Sequence, residues 1–313
     1  MALELSVQTK ELIQDENPVA GFAEMARAGF TCADFSLNQY LLNLDIYKEQ
    51  LNTFFSQSME ELEAFFLPQK QAAEAAGVRI HQMHMPYPIY VPQASSKVNR
   101  YLFDEVAPKS LRIAQFFGCH NIVVHGFKLR QYLGSEEAEW EQTEAFLDDM
   151  APLAIECGVT MCIENLYDGL GGHLVEGPCC DARKAAERID RMNEKYGAEV
   201  LGFCFDSGHA NLVGIDFEDF IKTLGPRLKV LHLHDNDGLR DLHQIPYTFA
   251  KTRENTSSTD WPGMLRGLRA IHFDGTLNFE TAPVLTAFPE ALRMDALRMI
   301  AKIGAYWAQE IEA

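Results

Sequence analysis

Basic residues are scarce in this chain: 27 Lys and Arg stand against 45 Asp and Glu, a formal net charge of -18. A field of that sign repels polyanions at long range, so nucleic acid is disfavoured as a partner. No stretch approaches the ~20 consecutive apolar residues that span a bilayer, and the opening MALELSVQTKEL holds no basic segment followed by an apolar one. A soluble, cytoplasmic protein without a membrane partner is therefore expected. The seven cysteines are odd in number, and the adjacent Cys179 and Cys180 have no spaced partner pair. That argues against a disulfide framework or a structural zinc site and for thiols as small apolar filler. A Gly-rich phosphate turn is also missing after the first apolar run, SVQTKEL, which disfavours a dinucleotide-binding open sheet.

What the chain does have is length and regular alternation. Its 313 residues, 47% of them hydrophobic, can bury one large core, and a single domain over 1–313 is expected. Eight runs rich in β-formers follow one another: LELSV, TCADFSL, VRIHQMH, NIVVH, TMCIE, VLGFCFD, KVLHLH and GTLNFE. Segments of helical periodicity separate them, several ending in Gly (Gly29, Gly77, Gly118, Gly158, Gly197 and Gly225), the residue that tolerates a left-handed C-cap. Strand, loop, helix and glycine repeated in this way predict an α/β fold, a single (β/α)8 TIM barrel. Long loops follow the third, fifth and seventh runs: MPYPIYVPQASS, NLYDGLGGHLVEGPCC and DNDGLRDLHQIPYTFAKTRENTSST. In a barrel, loops at that end carry the site.

Six of the runs end on a side chain able to bind a divalent metal: His84, His125, Glu164, Asp206, His234 and Glu280. Parallel strands of one barrel would gather all six at one rim. The residues two positions earlier lie one layer deeper, and five of the six, Gln82, Cys162, Cys204, His232 and Asn278, are polar or thiol-bearing where Val or Ile is usual. They have the character of groups that orient ligands. Asp206-Ser-Gly-His209 and Asp241-Leu-His243 each add a carboxylate and an imidazole close in sequence.

The ordered motifs H-M-P, V-V-H-G, I-E-N, F-D-S-G-H-A, H-L-H-D-N-D-G, D-x-H-x-x-P, D-W and N-F-E, running from His84 to Glu280, resemble the xylose isomerase-like barrel superfamily. That group includes sugar isomerases and epimerases, inosose dehydratases and endonuclease IV. Its ketose 3-epimerase pattern implies one metal held by Glu164, Asp206, His234 and Glu280, with His209 and Arg240 on substrate hydroxyls. The second carboxylate of that pattern, six residues after the first glutamate, is Leu170 here. The endonuclease pattern implies a wider set that adds His84, His125, His209, Asp241 and His243.

A sphere of two Glu, one Asp and one His suits Mn²⁺, Mg²⁺ or Co²⁺, whereas the added histidines favour Zn²⁺, up to three ions. The expected activity is a metal-dependent isomerase or epimerase of a sugar or cyclitol, with Glu164 and Glu280 as acid/bases on opposite faces of an enediolate. Loops carrying Tyr87, Tyr90 and Tyr247 are expected to exclude water. The alternatives are an endonuclease IV-like zinc phosphodiesterase and an inosose dehydratase-like lyase. The long loops are poor in phosphate-neutralising cations, with Lys251 and Arg253 as the one basic spot, which disfavours the nuclease. The expected partner is a small sugar or polyol, with a homo-oligomer possible in principle.

Overall fold

The computed structural model describes residues 3–129, 134–249 and 259–313. Lys251 and Arg253 lie outside them. Eight parallel strands form one sheet: β1 (Glu4–Gln8), β2 (Cys32–Ser36), β3 (Arg79–His84), β4 (Asn121–His125), β5 (Thr160–Glu164), β8 (Leu201–Asp206), β9 (Leu228–His232) and β10 (Thr276–Phe279). Neighbours in sequence are neighbours in the sheet, and β10 returns to pair with β1. The last seam is joined by a parallel bridge between Leu233 and Phe279, with Leu233 N–H donating to Asn278 O (2.9 Å) and Glu280 N–H to Leu233 O (3.2 Å). Helices pack outside, so the molecule is the (β/α)8 barrel expected.

Near-continuous burial along β2, β5 and β8 is what a strand covered on both faces requires. The outer faces meet the helices through phenylalanines such as Phe35, Phe66, Phe117, Phe203 and Phe220, whose rings lie edge-on or tilted to one another. Inside the barrel, Val123, Cys162, Cys204 and Val230 form a separate apolar floor. The barrel helices stop where the glycines stand, and Gly29, Gly77, Gly118, Gly158 and Gly197 all take the left-handed conformation.

Two strand ends differ from the expectation. β9 stops at His232 and β10 at Phe279, leaving His234 and Glu280 just beyond regular pairing. Past His232 the Ser207 hydroxyl takes over, accepting from His234 N–H at 3.0 Å and lying 2.9 Å from His234 O. The segment after β5, read as a loop, contains an antiparallel hairpin, β6 (Tyr167–Leu170) and β7 (His173–Glu176). Its two-residue turn is Gly171-Gly172, both at positive φ (58° and 83°), the conformation that matches the twist of the flanking strands. Among the described residues no helix is long and apolar enough to cross a membrane.

Candidate active site

The rim at the C-terminal ends of the strands carries a dense group of carboxylates and imidazoles. β4 and β5 stand in register with His125 opposite Glu164. Glu164 is fully buried and works with both oxygens. Oε1 lies 2.7 Å from His232 Nδ1, while Oε2 lies 2.7 Å from His125 Nε2 and 3.8 Å from His84 Nε2. Asp206 ends β8 and caps the following helix, Ser207–Val213, its Oδ1 accepting from His209 N–H at 2.6 Å. Its Oδ2 is thereby left facing the imidazoles of His234 (3.1 Å) and His232 (3.9 Å). Glu280 has one oxygen held by Gln8 Nε2 (2.6 Å) and the other 3.4 Å from His232 Nδ1.

The expected ligands fall into several groups, with His234 Nε2 3.1 Å and His232 Nδ1 3.9 Å from the same Asp206 oxygen. The imidazole that converges with Glu164, Asp206 and Glu280 is His232, not His234. His232 turns Nδ1 to the three carboxylates and Nε2 to Asp34 Oδ2 at 3.3 Å, the carboxylate–histidine arrangement that orients metal ligands. His234 instead joins Asp241 and His243, its ring stacked on His243 at 3.9 Å. Gly208 makes that position possible, since a Cβ there would fall 1.9 Å from His234 Cε1. A third group comprises His84, His125 and Glu164.

Whether these residues suit a cation is answered by their free valences. His84, His209 and His243 each set Nδ1 within 2.8–3.0 Å of a backbone carbonyl, those of Met85, Asn165 and Glu280. A carbonyl only accepts, so Nδ1 carries the hydrogen and Nε2 turns inward, that of His243 lying 3.1 Å from Asp241 Oδ2. Glu164 Oε2, Asp241 Oδ1 and His234 Nδ1 are buried without a hydrogen bond, although Oε2 sits so close to His125 Nε2. Buried polar atoms left this way are costly, and a divalent cation is the partner that carboxylate oxygens and imidazole nitrogens share.

Electrostatics carry the same sign. Burial alone would raise the carboxylates, yet the His232 and His125 rings beside Glu164 hold it well below its usual range, and His232 and His243 bring Glu280 down to about 2. Burial would depress His209 and His243, but Asp206 and Asp241 raise the first to about 9 and Asp241 and Glu280 raise the second to about 10. His125 is the exception, burial taking it down to about 4. Protons on histidines thus balance a group of carboxylates that a metal would otherwise neutralise.

A cavity of about 380 Å³ opens over these residues, with His84, His125, Glu164, His209, Asp241, His243 and Glu280 in its wall. Tyr87 lines it and stacks on His125, ring centroids 4.4 Å apart. Tyr90 lines it further out. Arg240, expected on substrate, is exposed and outside the cavity wall; Asp241 beside it is the residue that points in. Tyr247 does not cover the site, since its hydroxyl accepts from Trp307 Nε1 at 2.7 Å and its ring packs on Trp261 and Trp307.

Sequence reasoning passed over Asp34 and Gln8. Asp34 is fully buried inside the barrel, where its Oδ2 lies near His232, Asn278 Nδ2 (3.2 Å) and Gln82 Nε2 (3.4 Å). The signal was present as a carboxylate in the middle of the apolar run CADFS, a place where only a partnered charge is tolerated.

A model of the family described as xylose isomerase-like TIM barrel matches residues 22–303. The chain belongs to that family. This xylose isomerase-like barrel is 26% identical over 180 residues to an uncharacterized protein, y4fM, of Sinorhizobium fredii, a match covering 56% of the chain and 52% of that relative. The chain therefore spans about half the length of that relative. Among solved structures it resembles D-psicose 3-epimerase in the presence of D-fructose, at TM-score 0.67 and 14% identity, covering 98% of this chain and 99% of the other. It also resembles the apo form of 3-keto-D-glucoside 4-epimerase from E. coli, at TM-score 0.65 and 14% identity, covering 96% and 99%. At these identities the likeness establishes a shared fold.

Proposed function

We propose that the protein is a divalent-metal-dependent carbohydrate epimerase or isomerase whose metal is held by Glu164, Asp206, His232 and Glu280. The observation that carries this reading is the convergence of those four ligand atoms, two of whose residues, Glu164 and Glu280, also line the cavity. The family and its fold neighbours, sugar epimerases by their names, agree with it. His232 here takes the place first given to His234, because its Nδ1 faces all three carboxylates while Asp34 Oδ2 lies 3.3 Å from Nε2. Three carboxylates and one imidazole favour Mn²⁺, Mg²⁺ or Co²⁺.

When bound, such a cation polarises a carbonyl and acidifies the neighbouring C–H. The chain's own residues do the rest. Glu164, ionised, takes the proton from the carbon beside the substrate carbonyl, and a proton delivered through Glu280 restores the C–H on the opposite face. Gln8 fixes one oxygen of Glu280 and leaves the other to the substrate. His209 and Tyr87 stand at the wall to bind hydroxyls and to keep water out. The test is loss of substrate C–H signal in D2O by NMR, across a panel of ketoses and inososes with Mn²⁺ present. Glu164→Gln and Glu280→Gln are each expected to slow exchange about 10²–10⁴-fold; full exchange by both variants would remove the two-carboxylate scheme.

One observation favours a second reading. Glu164 belongs both to the His84/His125 group and to the Asp206/His232/Glu280 group, and His234, Asp241 and His243 form another, which is the donor supply for a multinuclear zinc hydrolase. Metal content of protein purified without chelator separates the two readings. About one ion per chain supports the epimerase, and three support the hydrolase.

A further inference from the structure

The cavity is larger than its charged end. Outward from the histidines and glutamates its wall changes character, with Tyr90, Val91, Pro92, Phe127, Leu129 and Leu166 lining the far side. Of these, Phe127, Leu129 and Leu166 are buried, and Tyr90 stacks face to face on Phe127 at 4.9 Å, with Phe103 6.1 Å from the Tyr90 ring and 5.9 Å from that of Phe127. Val91 is anchored at both backbone groups by the Asn99 side chain, its N–H donating to Oδ1 and its carbonyl accepting from Nδ2, each at 2.9 Å. This is a preformed apolar wall with an aromatic face. Lys128 is the charged residue on that side, and its ammonium group lies over the Tyr167 ring at 5.1 Å.

A cavity of about 380 Å³ falls within the ~300–1,000 Å³ range of sites that enclose drug-sized ligands. One sugar ring placed against Glu164 and Glu280 occupies the charged end and leaves the apolar end to water. Water confined against rigid apolar and aromatic walls is readily displaced by an apolar group. We propose that the substrate is a keto-glycoside, a sugar ring bearing the reacting ketone at the charged end and carrying an uncharged aromatic aglycone that lies along Tyr90 and Phe127.

This deepens the carbohydrate reading above and rests on it for the sugar end alone. A phosphorylated substituent would lose solvation against Val91, Pro92 and Leu129. The same cavity also carries Asn43, Tyr47, Gln93 and Lys128, so a second sugar ring is the competitor that the cellobioside arm measures.

The test compares p-nitrophenyl β-D-glucopyranoside, methyl β-D-glucopyranoside and methyl β-cellobioside as ligands of the full chain loaded with Mn²⁺, by calorimetry. The aryl glycoside is expected to bind at least about ten-fold more tightly than the methyl glycoside. Tyr90→Ala is expected to abolish most of that difference. Its fold is checked by circular dichroism, and Val91→Asp serves as an independent disruption of the same wall. Equal binding of aryl and methyl glycosides overturns the proposal, as does tightening by cellobioside that equals or exceeds the aryl effect. Failure here and failure of the epimerase reading give different results. Proton exchange into a free ketose without any aryl preference sinks the aglycone site and leaves the epimerase; aryl preference in a chain that exchanges no sugar proton does the reverse.

Discussion

At the scale of single residues, the site turns on which atom of each imidazole faces inward. His84, His209 and His243 present Nε2 because their Nδ1 atoms serve backbone carbonyls, whereas His232 presents Nδ1 because Asp34 faces its Nε2. Asp34→Asn is therefore expected to weaken metal binding about 10–100-fold, measured by competition with a fluorescent chelator, with the fold kept. Protonation gives a second expectation for metal-free protein. His209 and His243 have pKa values raised to about 9 and about 10 by their carboxylate neighbours, against burial. Their contribution to stability is complete below the unfolded value of about 6.5 and is lost as pH rises through 9 and 10. Glu280, lowered to about 2 by His232 and His243 against burial, contributes above about pH 4.3 and loses it as the pH falls to 2. His125, depressed to about 4 by burial, resists protonation in the same acid range. Chelated protein should thus show its highest melting temperature between about pH 5 and 6.5, and saturating metal should flatten the alkaline decline. An alkaline optimum for the chelated protein would contradict this assignment of charges.

At the scale of elements, the sequence was informative wherever one pattern had one meaning. Apolar runs closed by Glu164 and Asp206 could only be buried strands, and helices ending at Gly77 or Gly118 could only turn there. His232 and His234 were harder, because both are histidines two residues apart and alternation sends both inward. Which one meets Glu164 depends on where β9 stops pairing and on the Ser207 hydroxyl that receives the chain, a long-range fact. Asp34 was legible as an oddity but its partners come from β3, β9 and β10. The hairpin after β5 did carry a local signal, Gly-Gly between YDGL and HLVE. It was read as a loop because it lies where barrel loops usually do. Gly171 and Gly172 sit at φ values that L-residues resist, so replacing both with Ala is expected to cost about 1–2 kcal/mol per position. Since the hairpin brings Tyr167 to within 5.2 Å of the His209 ring and into the cavity wall, the double variant should raise KM several-fold while metal affinity measured by titration stays unchanged.

At the scale of the whole molecule, the proposed ligands come from β5, β8, β9 and the residue after β10, strands far apart in sequence that the barrel alone unites. A metal bound to all of them ties the barrel's seam, at β9 and β10, to its middle. At a metal concentration 100-fold above Kd, linkage stabilises the folded state by about 2.7 kcal/mol, which in a domain of this size corresponds to a melting temperature higher by on the order of 5 °C. Differential scanning calorimetry with Mn²⁺ and with EDTA measures it, and identical melting in both would show that no metal binds the folded barrel. The net charge of -18 is compatible with this architecture, for it acts on diffusing polyanions and leaves a neutral sugar unaffected.

The apolar floor of Val123, Cys162, Cys204 and Val230 makes the barrel a vessel with one mouth. Beside that floor Asp34, Gln82, Asn278 and Ser6 pair with one another beneath His232, so the described cavity exchanges with solvent at the rim. On the proposed reading, a sugar seated against Glu164 and Glu280 would stand between the metal and the solvent, so that an occupied site would hold its metal longer than an empty one.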